Sequence, residues 1–77
     1  MTIQSIIFNK QFWSKKTSRD WLKSKSYNIT LGPHIYNFDS PNYWRWRQRP
    51  PTLFNKFYVK ENPTEKGIKY IIGMNYK

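Results

Sequence analysis

The chain has 77 residues, 19% of them aromatic, no cysteine and a formal net charge of +10. That length allows one domain, spanning residues 1–77, and the lack of cysteine excludes disulfide frameworks, thiolate metal sites and thiol nucleophiles. One histidine and four acidic residues leave little for a metal centre or for acid–base chemistry, so no enzyme, cofactor or metal is expected.

A domain this small buries only about 60% of the surface its unfolded chain exposes, so its core must use large side chains. Five Phe, six Tyr and four Trp supply them, and a disordered basic tail would lack them. Fourteen Lys and Arg against four Asp and Glu create a field that attracts nucleic acid, an anionic membrane or an acidic protein. Ten of the fourteen bases are Lys, a bias that an AT-rich coding sequence also produces. No apolar run approaches the roughly 20 residues of a membrane span, and the first eight residues do not read as a secretory signal. A soluble protein of the cytoplasm or of a particle is expected.

In chain order, Ile3 to Phe8 reads as a strand with apolar groups on both faces, hence a central one. Ser14 reads as the N-cap of a helix that ends near Ser24–Ser26, with Trp13 just before the cap packing back on the helix. Ser18, Trp21, Leu22 and Lys25 share one narrow face, Lys15, Arg19 and Lys23 another. Tyr27 returns to the core. Gly32-Pro33 interrupts regular structure, Ile35 to Phe38 is a short strand, and Asp39 to Asn42 is a turn cluster. His34 reads as a loop residue. Tyr43 to Arg49 is a strand stopped by Pro50-Pro51. Phe57 to Lys60 and Gly67 to Met74 form a hairpin across the turn-rich segment 62–67, with residues 56–61 a candidate exposed edge. Gly67 and Gly73 read as turn or packing glycines. The expected fold is α+β, in β-α-β-β-β order: one helix on a mainly antiparallel sheet of three to five strands.

The most informative segment is Tyr43-Trp44-Arg45-Trp46-Arg47-Gln48-Arg49. Alternation along a strand sends Trp44, Trp46 and Gln48 to one face, a floor for the helix, and Tyr43, Arg45, Arg47 and Arg49 to the other. Guanidiniums two residues apart recur about every 6.5–7 Å, comparable to successive phosphates along one strand. Arg forks onto phosphate and stacks on bases, which Lys does poorly, and every Arg except Arg19 lies here. Three readings of that face stay open. It grips a nucleic-acid backbone, with Tyr43 stacking on a base; its Arg stems simply cover the outer sheet face; or it is a subunit interface, since Arg, Trp and Tyr favour interfaces. Lys15, Lys16, Arg19 and Lys23 extend the patch or form an ordinary solvated helix face. Asp20 is expected to pair with its basic helix neighbours, and Asp39, Glu61 and Glu65 fall in turns or loops.

Taken together, Ile3-Gln4-Ser5, Trp13-Ser14, Trp21-Leu22, Trp44 to Pro51, Gly67-Ile68 and Ile71-Ile72-Gly73 resemble a short, largely uncharacterised domain encoded by bacteriophages and some large DNA viruses. The sequence departs from that pattern at Ser18, at Ser26 and in a longer segment 28–42. The resemblance implies a phage or viral origin, with the host cytoplasm or the virion as location, and no mechanism.

The expected function is a small non-enzymatic protein that binds nucleic acid, DNA or RNA, mainly through its backbone. Two alternatives stand beside it. One is a structural component of a virion or multi-subunit viral complex, its Arg and aromatic face set against an acidic protein. The other is an inhibitor of a host defence enzyme. Homo-oligomerisation through the edge strand is open, and no membrane partner is expected.

Overall fold

A computed structural model describes residues 2–37 and 42–76, with side chains for 2–34 and 42–74. The elements are β1 (Thr2–Asn9), α1 (Lys15–Ser24), β2 (His34–Asn37), β3 (Asn42–Arg47), a 3₁₀ turn (Pro51–Leu53), β4 (Phe54–Glu61) and β5 (Ile68–Tyr76). The five strands form one antiparallel sheet in the order β2-β3-β1-β5-β4. The fold is the small α+β domain expected.

β1 is central because its residues are apolar on both faces. Ile6 and Phe8 join Leu22 of α1, Trp46 and Ile68 in the main core, while Ile7 points the other way to Tyr43 and Ile71. Pairing with β5 slips by one residue between Ile3 and Ser5, leaving Gln4 as the extra residue. The slip lets Ile3 pack on the same core as Ile6, although strict alternation would turn it to the opposite face.

α1 begins at a reciprocal cap: Ser14 Oγ accepts from the Thr17 amide and Thr17 Oγ1 accepts from the Ser14 amide. Its buried residues are Ser18 and Leu22, the narrow stripe predicted. Ser18 sits where a larger side chain would meet Trp46. Its hydroxyl accepts from Trp46 Nε1 at 3.0 Å and donates to the Lys15 carbonyl at 2.9 Å. The helix stops at Lys25, and Ser26 takes a positive φ of 63° that turns the chain towards Tyr27. Tyr27 stacks on Trp21 at 6.0 Å. The Lys16–Asp20 ion pair forms at 3.3 Å.

Several boundaries move. Trp13 packs edge-on against Phe8 of the sheet, at 5.3 Å, rather than back on the helix. Its indole donates to the Lys66 carbonyl and its own carbonyl accepts from Trp44 Nε1, so one residue ties the helix start to the β4–β5 turn and to β3. Gly67 has φ 81°, and an added Cβ would meet the Phe12 and Trp13 rings, which gives this turn glycine a packing reason as well. His34 opens β2 opposite Arg45 instead of lying in a loop, and Glu61 closes β4 instead of lying in the turn. β4 begins three residues earlier than predicted, and residues 38–41, including the predicted turn at Asp39, lie outside the described residues.

The alternation places Gln48 in the helix-facing row of the strand; β3 ends one residue before it, at Arg47. Its amide holds the segment after α1: Oε1 accepts from the Asn28 amide at 2.8 Å and Nε2 donates to the Asn28 carbonyl at 2.9 Å. Gln48→Ala removes both bonds, and we expect a loss of about 1–2 kcal/mol in urea denaturation, with faster exchange of the Asn28 amide hydrogen.

Candidate nucleic-acid interface

A ten-residue helix is about 15 Å long and α1 covers one face of the sheet only. The other face is built in rows by the strand register. One row runs Arg45, Ile7, Lys69, Glu61 across β3, β1, β5 and β4; the next runs Arg47, Ser5, Ile71, Val59. Bases from two strands thus flank an apolar strip made by Ile7, Tyr43 and Ile71, all buried. Long basic stems lie over that strip: Lys69 Nζ sits 5.6 Å from the centre of the Tyr43 ring and 3.9 Å from Glu61. Burying an apolar strip under charged side chains keeps the heads wet while the stems exclude water.

Arg45 is positioned by a short relay. Its Nε donates to Ser5 Oγ at 3.2 Å, Ser5 donates to Gln4 Oε1 at 2.6 Å, and Gln4 Nε2 donates to the Arg49 carbonyl at 2.8 Å. Gln4 and Ser5 are almost fully buried, Gln4 at 1% exposure. The Gln4 carbonyl also accepts from the Gln48 and Arg49 amides, at 2.7 and 3.2 Å. The extra residue of β1 therefore clamps the end of β3 and fixes where the arginines project. Arg47 is half-buried, and its Nε has no hydrogen-bond partner among the described residues.

The predicted site residues divide into groups. Arg45 and Arg47 share the open face. Arg49 has left the ladder: it is exposed, and its Nη1 donates to the Ile3 carbonyl at 3.3 Å. The even spacing of three guanidiniums therefore holds for two. Tyr43 lies on this face, but at 6% exposure its ring is covered and cannot stack on a base. Lys15, Lys16, Arg19 and Lys23 are exposed on α1, across the sheet from Arg45 and Arg47, and so do not extend the arginine patch. Lys15 instead shares the Trp44 ring with Lys10, their Nζ atoms 5.3 and 4.2 Å from its centre.

Three residues of the open face were not singled out from the sequence: Lys69, Ser5 and Phe57. Phe57 is 46% exposed and lines a pocket of about 210 Å³ with Gln4, Arg45, Pro51 and Ile71. The polar pair Gln4-Ser5 inside an otherwise apolar strand is the one sequence signal that pointed here.

On the helix side a second concavity of about 400 Å³ is lined by Trp21, Lys25, Tyr27, Asn62, Pro63, Thr64, Glu65 and Tyr70. Burial raises the Tyr70 phenol above its ordinary pKa of 10.0, partly offset by the hydrogen bond from Asn62 Nδ2 at 2.7 Å.

Among the described residues no group of His, Cys, Asp and Glu is arranged to hold a metal ion, and no helix is long and apolar enough to cross a membrane. No family model, curated protein or solved structure matches the chain.

Proposed function

We propose that this protein binds nucleic acid, mainly through the phosphate backbone, on the sheet face that α1 leaves open. The observation that carries the reading is the row arrangement: Arg45 and Arg47 on β3 and Lys69 on β5 flank one apolar strip in a chain of net charge +10. Arg45, held by the buried Ser5–Gln4 relay, is pre-organised, so less side-chain entropy is lost when it meets phosphate. Recognition would be weakly sequence-specific, because phosphate contacts set position and carry no base information. The phage or viral setting implied by the sequence resemblance belongs to this reading as its biological context.

A second reading has its own observation. Phe57 and Val59 are exposed on the same face near the β4 edge, and exposed apolar groups beside arginines also suit a protein interface. In that case the protein is a component of a virion or viral complex, and its partner is an acidic protein surface.

Fluorescence anisotropy with short labelled single- and double-stranded DNA and RNA, from about 50 to 300 mM salt, separates the two, since several phosphate contacts weaken binding by orders of magnitude over that range. The nucleic-acid reading predicts a steep salt dependence. Neutralising the helix bases (Lys15→Gln, Lys16→Gln, Arg19→Gln and Lys23→Gln together) is expected to change affinity less than about threefold at 0.15 M salt, because charges on the far side of the sheet are screened beyond about 8 Å. A tenfold or larger loss would move the interface to α1.

A further inference from the structure

We infer that the open face takes a single strand rather than a duplex, and that one unstacked base seats in the pocket beside Phe57. This rests on the nucleic-acid reading above and adds the strandedness and the stacking residue.

Phe is among the residues most often fully buried, yet Phe57 is 46% exposed on the face that carries the arginines. It is not loosely held. Its ring makes an edge-on contact with buried Phe54 at 6.0 Å and 70°. Phe54 in turn lies on Gly73, where any Cβ would collide with the ring. A braced aromatic ring at the surface is a stacking platform of low conformational cost.

The pocket next to it combines three kinds of wall: Phe57, Pro51 and Ile71 are apolar, Arg45 is charged, and Gln4 is a buried amide. At about 210 Å³ it is smaller than sites that enclose whole small-molecule ligands, about 300–1,000 Å³, and suits one planar ring system. Arg45 belongs both to this pocket and to the basic row, so a base on Phe57 and a phosphate on the arginines are adjacent parts of one nucleotide strand. A duplex keeps its bases stacked inside and offers this face only backbone and groove edges, whereas a single strand can turn a base out onto an aromatic ring. Tyr43, the stacking candidate on sequence grounds, is covered by its neighbours, and Phe57 takes that role.

The test is anisotropy at a fixed salt near 0.1 M with four labelled probes of one length: single-stranded DNA, single-stranded RNA, an abasic single strand that keeps only sugar and phosphate, and a DNA duplex. The expected result is a preference for the base-bearing strands over the abasic strand and the duplex of about five- to a hundredfold, the effect of one stacked base. The DNA and RNA arms tell which strand is preferred. Phe57→Ala is expected to abolish the preference by weakening binding of the base-bearing strands to the level of the abasic strand, and Phe57→Trp to retain it. Circular dichroism confirms that the variants are folded. Equal binding of abasic and base-bearing strands, or full retention of the preference by folded Phe57→Ala, would overturn the inference and leave the backbone reading standing. Failure of the wild type to bind any of the four probes would overturn both.

Discussion

Replacing Arg45, Arg47 and Arg49 together by alanine is expected to weaken binding to a short single strand about 25- to a hundredfold at 0.1 M salt. The figure follows from counterion release: each phosphate contact on a single strand contributes about 0.7 to the slope of log affinity against log salt. Losing Arg45 and Arg47 flattens the slope by about 1.4, and the lesser contact of Arg49 brings it to at most about 2, which at 0.1 M is about one and a half to two decades. The singles should be unequal. Arg45 and Arg47 stand in adjacent rows of the open face, while Arg49 is exposed beyond the strand end with its Nη1 on the Ile3 carbonyl. Arg45→Ala should therefore cost more affinity than Arg49→Ala. The fold should survive, because the main core that joins β1, α1, β3 and β5 lies on the other face. An unchanged slope in the triple variant would mean that the arginines serve to cover the sheet and that any binding is the generic attraction of a polycation.

Phe8→Ala should have the largest effect on stability. Phe8 is fully buried at the centre of the main core, with Trp13 edge-on at 5.3 Å and Trp21 edge-on at 5.7 Å. Truncating a buried Phe to Ala costs about 3–5 kcal/mol, from lost transfer energy and from the cavity left behind. A domain of 77 residues has a total stability of about 4–12 kcal/mol. The variant should therefore be largely unfolded or have its melting temperature lowered by about 12 °C or more. Thermal and urea unfolding followed by tryptophan fluorescence would measure it. A loss below about 1 kcal/mol would mean that the Trp13 and Trp21 rings collapse into the space and that the core is not built around this ring.

Much of this architecture was legible in the sequence because local physics and tertiary packing agree there. The two-faced apolar pattern of Ile3 to Phe8 requires a partner on each side, and β1 has the helix core on one and Tyr43 and Ile71 on the other. Ser14 followed by Thr17 is a local cap that needs nothing from the rest of the chain. The alternation of Trp44 and Trp46 against Tyr43 and Arg45 was readable for the same reason.

What the sequence hid depends on distant contacts. Nothing local says that Gln4 is an extra residue in the ladder, because the slip exists only relative to β5. The early end of β3 follows from that clamp: the Gln48 and Arg49 amides turn to the Gln4 carbonyl instead of continuing the ladder. The covering of Tyr43 needs Lys69, 26 positions along the chain, and the meeting of Phe57 with Arg45 needs the strand order β3-β1-β5-β4. Whether the helix bases extend the arginine patch or form a solvated helix face stays open in the sequence, because net charge carries no information about which side of a sheet a residue occupies.

Binding on the open sheet face is tested most directly by following backbone amide shifts of the ¹⁵N-labelled protein during titration with a short single-stranded oligonucleotide. The perturbed amides are expected to cluster at Ser5, Ile7, Arg45, Arg47, Phe57, Lys69 and Ile71, with Lys15 to Lys23 nearly still. Perturbations confined to α1, with the open sheet face unmoved, would contradict it.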